Sequence, residues 1–580
     1  MRARRSTAVL GIVVCAVVLA LLAVRGDWLF GGGPLPGPPR VPPPMAPARP
    51  GQVVGYVRDA NAHPIAGVRV RVVGARRETK TDGEGRYELS AAAMSGTLEA
   101  VAPDYARQRV ALEPAPPGQG ARIDYALART RVGAHPAANS ADRVILWAGC
   151  DRIAALSAAA VQRWIDRGVD GFVCSVGALR NLGGEHDFTG ARGASLDGDG
   201  FALQRKLRAS AVVKQARRGR LKLYLGMYAS DSKNEQTPFK EWFDDRAWAR
   251  DVIPHARDLA AAARSLGLAG VAIDQELYET SGGDPSWSWN YPGNSHSEAD
   301  TRARAVSRGH ELMQAFVSAF PGVEVAAYAT QLRDSWEDKV QEVINKAPHS
   351  FDDDLRLDLW NGMTSVQGYS AILWLDAIFY KTPHLGDRWE PGLRYNASSV
   401  YSLLSRRFSN WSYASERLHL SPFAWIDEGP SEFERARGSD YVKRQLQAFR
   451  RWGMGGAFGI YAYDDFEKFD YGPYEDAIRA ASTPATVDER PPKLSVALTA
   501  GRLSGTASDD FAIRVVRWYD DEGRFGTAKM TWRPSGSPQD GYRGSVAWTV
   551  DGLGARARRV TVVAEDIKGW ATTRTLTIAR

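Results

Sequence analysis

The sequence predicts a multidomain chain: a central (β/α)8 TIM barrel flanked by two small all-β sandwiches, behind an N-terminal transmembrane or signal helix. Three observations carry this. Residues 141–484 alternate short apolar runs with helical patterns, as a parallel sheet with helical crossovers requires. Residues 51–129 and 490–580 instead show short alternating strands punctuated by turn residues. Thr7 to Val24 is almost wholly apolar, with a basic start (Met1 to Arg5) before it and Arg25 after it.

At 580 residues the chain is too long for one core. Hydrophobic residues at 44% and charged residues at 24% are ordinary for globular protein. The net charge of +7 comes from 74 Lys+Arg against 67 Asp+Glu. Beyond the first five residues no basic block resembles a nucleic-acid footprint, so no nucleic-acid partner is expected. Three cysteines make neither a disulfide scaffold nor a zinc cluster. Cys15 lies in the apolar run. Cys150 and Cys174 fall at the first two barrel strands, where two buried thiols are expected, a disulfide being the alternative.

Taken in order, residues 1–26 read as a membrane anchor with its basic end in the cytoplasm, or as a cleaved signal sequence. The run is long for a signal and just long enough to span. Either way the bulk of the chain is extracytoplasmic, at the cell surface or in a periplasm. Residues 27–50 form a Pro/Gly-rich linker that cannot build a core. Residues 51–129 hold the first β-module.

The barrel strands follow. They are Val144 to Ala148, Gly171 to Ser175, Leu221 to Tyr228, Gly270 to Tyr278, Val323 to Tyr328, Ala371 to Asp376, Leu418 to Ile426, and Gly456 to Tyr463. Eight strand–helix units in about 340 residues fit a (β/α)8 barrel with long top loops. Acids recur where these strands end: Asp151, Asp274 with Glu276, Asp376, Asp427 with Glu428, and Asp464 with Asp465. One such strand end is explained by solvation. Five of eight point to a site at the C-terminal mouth, where such barrels keep their chemistry.

The fourth strand is the centre of this reading. Side chains alternate along a strand, so Val271 and Ile273 face one way and Ala272, Asp274 and Glu276 the other. Two carboxylates at a strand end are what glycoside hydrolysis needs, one to protonate the leaving oxygen and one as base or nucleophile. Asp376 shares a face with Trp374 and is set in the mouth with it. Trp147, Tyr228, Trp287, Trp289, Trp374, Trp425, Tyr461 and Tyr463 are candidate sugar platforms, with core packing as the plainer role for each. No metal-ligand spacing appears: none of the nine histidines stands in a His-x-x-Glu pair, and no cofactor is expected. No Gly-x-Ser-x-Gly elbow or phosphate-binding Gly-Lys-Ser/Thr loop occurs.

Several phrases resemble known families. Gly55-x-Val57-x-Asp59, Pro64-Ile-Ala-Gly-Val68 and Thr81-Asp82-x-x-Gly85-x-Tyr87-x-Leu89 resemble the carboxypeptidase regulatory-like family, an accessory transthyretin-like β-sandwich. Leu503 to Asp510 and Val560 to Gly569 resemble bacterial immunoglobulin-like domains. Gly270 to Tyr278 resembles the strand-four motif of family 18 glycoside hydrolases, the chitinase-like enzymes. Asp274 and Glu276 match its last two acids, while Ala269 and Ala272 replace its first two. That resemblance implies Glu276 as general acid and Asp274 as its orienter, with mutual repulsion raising the acid's pKa. Gln275-Glu276 and Trp425-Ile-Asp-Glu428-Gly429 are also similar to the retaining clan with acids on strands four and seven, which implies Glu428 as nucleophile. A third pattern, that of clans acting on α-linked sugars, implies Asp274 as nucleophile and Asp376 as acid. The expectation is an exported glycoside hydrolase acting on a polysaccharide or oligosaccharide. The alternative is a non-catalytic glycan-binding or cell-envelope scaffold on the same fold.

Overall fold

The computed structural model describes residues 48–59, 64–73, 77–90, 96–102, 108–112, 120–123, 125–127, 143–175, 199–228, 241–275, 287, 289–291, 293–328, 355–376, 389–425, 439–452, 457–461, 474–481, 492–499, 501–520, 525–535, 543–551, 553, 557–567 and 571–578, for some of them the backbone alone. Among the described residues no helix is long and apolar enough to cross a membrane, and the apolar run Thr7 to Val24 lies outside them.

Among the described residues the first module holds eight strands: β1 (Gln52–Asp59), β2 (Arg69–Val72), β3 (Glu78–Lys80), β4 (Arg86–Ser90), β5 (Gly96–Val101), β6 (Gln108–Leu112), β7 (Ala121–Arg122) and β8 (Tyr125–Leu127). They form two sheets. One is β4-β1-β7 with β8 also on β1, and the other is β3-β2-β5-β6. Strand alternation is plain in β4, where Tyr87 and Leu89 are buried and Arg86, Glu88 and Ser90 exposed. Gly85 has φ 74°, and a Cβ there would come within 2.4 Å of the Val57 carbonyl oxygen. The turn before β4 therefore requires glycine on two counts. This module keeps a core of its own around Val53, Val57, Tyr87 and Leu98.

The barrel follows as β9 (Arg143–Gly149), β10 (Gly171–Ser175), β11 (Lys222–Tyr228), β12 (Gly270–Asp274), β13 (Glu324–Tyr328), β14 (Ala371–Asp376), β15 (Leu418–Trp425) and β16 (Ala457–Tyr461). The strands are parallel in chain order, and β16 pairs with β9 to close the ring. Helices intervene between every consecutive pair. They form for ordinary reasons. Ile253–Leu266 has proline in its first turn, ends at Gly267 in the left-handed conformation, and buries Ala256, Leu259, Ala260, Ala263 and Leu266 on one stripe. Glu298–Ala319 is capped by the Ser297 hydroxyl, which accepts from Asp300 N.

The last eight strands are β17 (Lys493–Thr499), β18 (Arg502–Ser508), β19 (Ile513–Asp520), β20 (Phe525–Thr527), β21 (Lys529–Ser535), β22 (Arg543–Val550), β23 (Arg559–Asp566) and β24 (Ala571–Thr577). They make two four-stranded sheets, β17-β18-β22-β21 and β20-β19-β23-β24. Unlike the first module, this one shares a continuous core with the barrel. Met530 N donates to the Ser405 hydroxyl at 2.9 Å, and Arg406 bonds the Met530 carbonyl. Glu565 is clasped by Arg514 and Arg517, and Arg517 reaches on to the Ser415 hydroxyl. Burial alone would raise the Glu565 pKa, but the two guanidiniums hold it below the ordinary range.

Candidate active site at the mouth of the barrel

Which strand face looks into the lumen is settled by contacts that cross it. β9 and β13 stand opposite each other around the ring, so side chains that join them meet inside. At the start of these strands the Arg143 guanidinium donates to Glu324 Oε2 at 2.9 Å and to the Tyr224 hydroxyl of β11 at 3.2 Å. The Tyr224 hydroxyl donates to the same Glu324 oxygen at 2.6 Å, and Lys222 Nζ to the other at 2.9 Å. Burial opposes the Glu324 charge, but Arg143 and Lys222 outweigh it and bring the carboxyl to about 2. Burial, then the Glu324 charge, push the Tyr224 hydroxyl well above its ordinary range. Toward the other end, the Trp147 and Tyr328 rings meet with centroids 4.9 Å apart.

The register carries this face around the barrel. Tyr224 and Glu324 both pair with Gly270, and Tyr228 and Tyr328 both pair with Asp274. Gly270, Ala272 and Asp274 therefore share the lumen face, as alternation predicted. At Gly270 a Cβ would meet the Glu324 carbonyl oxygen at 1.8 Å, so β12 and β13 approach here only through glycine. Asp274 is the last residue of β12 and is 3% exposed.

Gln275 turns the other way. It is wholly buried, and its Oε1 accepts from the indole N–H of Trp360 at 3.0 Å. Trp360 sits on the helix Arg356–Ser365, outside the barrel wall. The glutamine that precedes Glu276 in the strand-four, strand-seven resemblance thus lies in the shell between strands and helices. Trp374 lies there too. Expected as a platform at the mouth, it is wholly buried against Trp360 (5.1 Å) and Phe408 (6.4 Å). The strands of a closed parallel barrel are apolar on both faces, so an aromatic near a strand end does not announce its side. The ground for setting Asp376 in the mouth, a face shared with Trp374, no longer points to the lumen.

The other expected residues divide as follows. Trp147 is in the lumen but only 4% exposed, packed on Tyr328. Trp287 is buried against Trp242, with ring centroids 5.8 Å apart. Trp289 is half-buried, and its carbonyl accepts from Asn294. Tyr228, Trp425 and Tyr461 end β11, β15 and β16, the last two paired in register, and Asp376 ends β14; their side chains lie outside the described residues. Glu276, Glu428 and Tyr463 lie outside them altogether, as do Asp427, Asp464, Asp465 and the side chain of Asp151. Tyr328 was missed, although it ends its strand with an aromatic just as Tyr228 does. Among the described residues no three His, Cys, Asp or Glu side chains are grouped to hold a metal.

Cys150 and Cys174 are joined in a disulfide, not kept as the two thiols expected. The register explains it: Cys174 pairs with Ala148, and Cys150 opens a helix two residues further on, so their Cα atoms are 4.5 Å apart.

Comparison with known proteins adds the following. Residues 52–128 match the carboxypeptidase regulatory-like domain. No curated protein matches the chain. Among solved structures, a cohesin–X-dockerin complex from Acetivibrio cellulolyticus is 20% identical with a TM-score of 0.12. The match covers 14% of this chain, which spans 58% of that one. A family 5 glycoside hydrolase from Streptomyces cattleya, in complex with GlcNAc, is 15% identical with a TM-score of 0.35, covering 61% of this chain and 83% of that one. A family 5 glycoside hydrolase from Prevotella bryantii is 11% identical with a TM-score of 0.33, covering 60% and 98%.

Proposed function

We propose that this chain is an exported glycoside hydrolase that cleaves O-glycosidic bonds of a polysaccharide or oligosaccharide by carboxylate general acid/base catalysis. The observation that carries the reading is Asp274. It is a nearly buried acid on the lumen face at the C-terminal end of β12, in register between Tyr228 and Tyr328 in a closed parallel barrel. Glu276 follows two residues later. In this reading it protonates the leaving oxygen, and Asp274 orients it and holds its proton through like-charge repulsion. Glu428 is the next candidate for a partner acid. The Cys150–Cys174 disulfide supports an oxidising compartment, hence export, whether the N-terminal segment is an anchor or a cleaved signal. A non-catalytic glycan-binding reading draws on one observation: the Trp147 and Tyr328 rings meet, nearly buried, inside the lumen below the mouth.

Reducing-sugar release from a panel of bacterial and plant polysaccharides, by wild type beside Glu276→Gln, separates the two. Release that falls at least ~10²-fold in the variant supports the enzyme and its acid. Glycan binding without release by either protein supports the scaffold.

A further inference from the structure

We propose that Gln275 and Trp360 are a positioning pair that sets the angle of the acid-bearing strand end. The inference rests on the glycosidase reading above. Gln275 lies between Asp274 and Glu276 in the chain and is tied down on two sides. Its backbone N–H donates to the Tyr328 carbonyl at 3.1 Å, and its side-chain Oε1 accepts from Trp360 Nε1 at 3.0 Å. Trp360 in turn packs on Trp374, and its helix is locked against Glu298–Ala319. A Cβ on Gly309 would stand 1.9 Å from the Leu359 carbonyl oxygen, and one on Gly362 would stand 1.9 Å from that of Val306. The anchor cannot slide without breaking that crossing.

The pair is a poor choice for packing alone. Both side chains are wholly buried, and Gln275 Nε2 has no hydrogen-bond partner among the described residues. An apolar pair of the same shape would leave no buried donor unsatisfied. What the polar pair supplies is direction. Successive strand residues face opposite ways, so holding Gln275 in the shell holds Asp274 on the lumen face. Catalytic geometry is sensitive enough for this to matter, since a misplacement of about 1 Å can cost ~10²-fold.

The test is the full chain carrying Gln275→Met with Trp360→Phe, which removes donor and acceptor together. The expected result is a folded protein whose unfolding midpoint falls by no more than the smaller side chain at Trp360 costs, with kcat lower by about tenfold or more, KM within about twofold, and a displaced limb of the pH–kcat profile. Wild-type kcat with an unchanged pH profile overturns the proposal and leaves the glycosidase reading standing. A wild-type protein inactive on every glycan overturns both. Should the double variant not fold, Trp360→Phe alone, which keeps an aromatic side chain and loses the indole N–H, carries the same kcat and pH readout.

Discussion

At the foot of the barrel, the Glu324 carboxylate accepts from Arg143, Lys222 and Tyr224. At the mouth, on the same lumen face of the neighbouring strand, Asp274 stands between two strand ends that carry tyrosine. Both are acids sunk in a barrel, and burial penalises both. At the foot that penalty is offset by two cations and a hydroxyl, which is how a buried carboxylate contributes to a fold. At the mouth the next acid in the chain, Glu276, comes two residues later, and the proposed chemistry has like charge in such a pair keep one carboxyl protonated. On the function proposed above, the foot serves stability and the mouth chemistry.

The largest expected effect is at the mouth. Asp274→Asn should lower glycan hydrolysis by about 10²- to 10⁴-fold while leaving urea unfolding near wild type. A destabilised but active variant would make Asp274 another structural acid. At the foot the pattern should invert. Glu324→Ala strands Arg143 and Tyr224 inside the barrel and should cost about 3 kcal/mol in urea unfolding, with turnover per folded molecule retained. The same contrast can be read through pH. Glu324 is held near 2 against an ordinary 4.5, so its contribution is complete above about pH 4.5 and drains away as pH falls toward 2. Roughly 3 kcal/mol of acid-dependent stability should disappear across that window in wild type and be absent in Glu324→Gln, as acid titration of the unfolding midpoint would reveal. The smallest effect belongs to Lys222→Met. Its side chain is 44% exposed, so its ion pair should contribute below about 1 kcal/mol by the same unfolding assay.

The strands were legible because each is an apolar run bounded by turn residues. Gly171–Ser175 and Ala371–Asp376 fall where they were expected, and the other six start or end within a few residues. Which way their residues face was legible only on β12, where glycine, alanine and aspartate alternate with valine and isoleucine. On β14 the run Ala371 to Leu375 is apolar throughout, so Trp374 gave no sign of its side until Trp360 and Phe408 were seen against it. The foot was illegible for a related reason. Arg143, Lys222 and Glu324 open three separate strands, and only ring closure brings them together. The disulfide likewise depends on the register of β9 with β10, which spacing in the chain does not encode.

The most direct test of the division between foot and mouth is a crossed one, with turnover and urea unfolding measured on wild type, Asp274→Asn and Glu324→Gln. The account predicts that Asp274→Asn loses sugar release and keeps its midpoint, while Glu324→Gln keeps release and loses its midpoint. If Asp274→Asn hydrolyses glycans at the wild-type rate, the chemistry does not reside on β12 and the account is wrong.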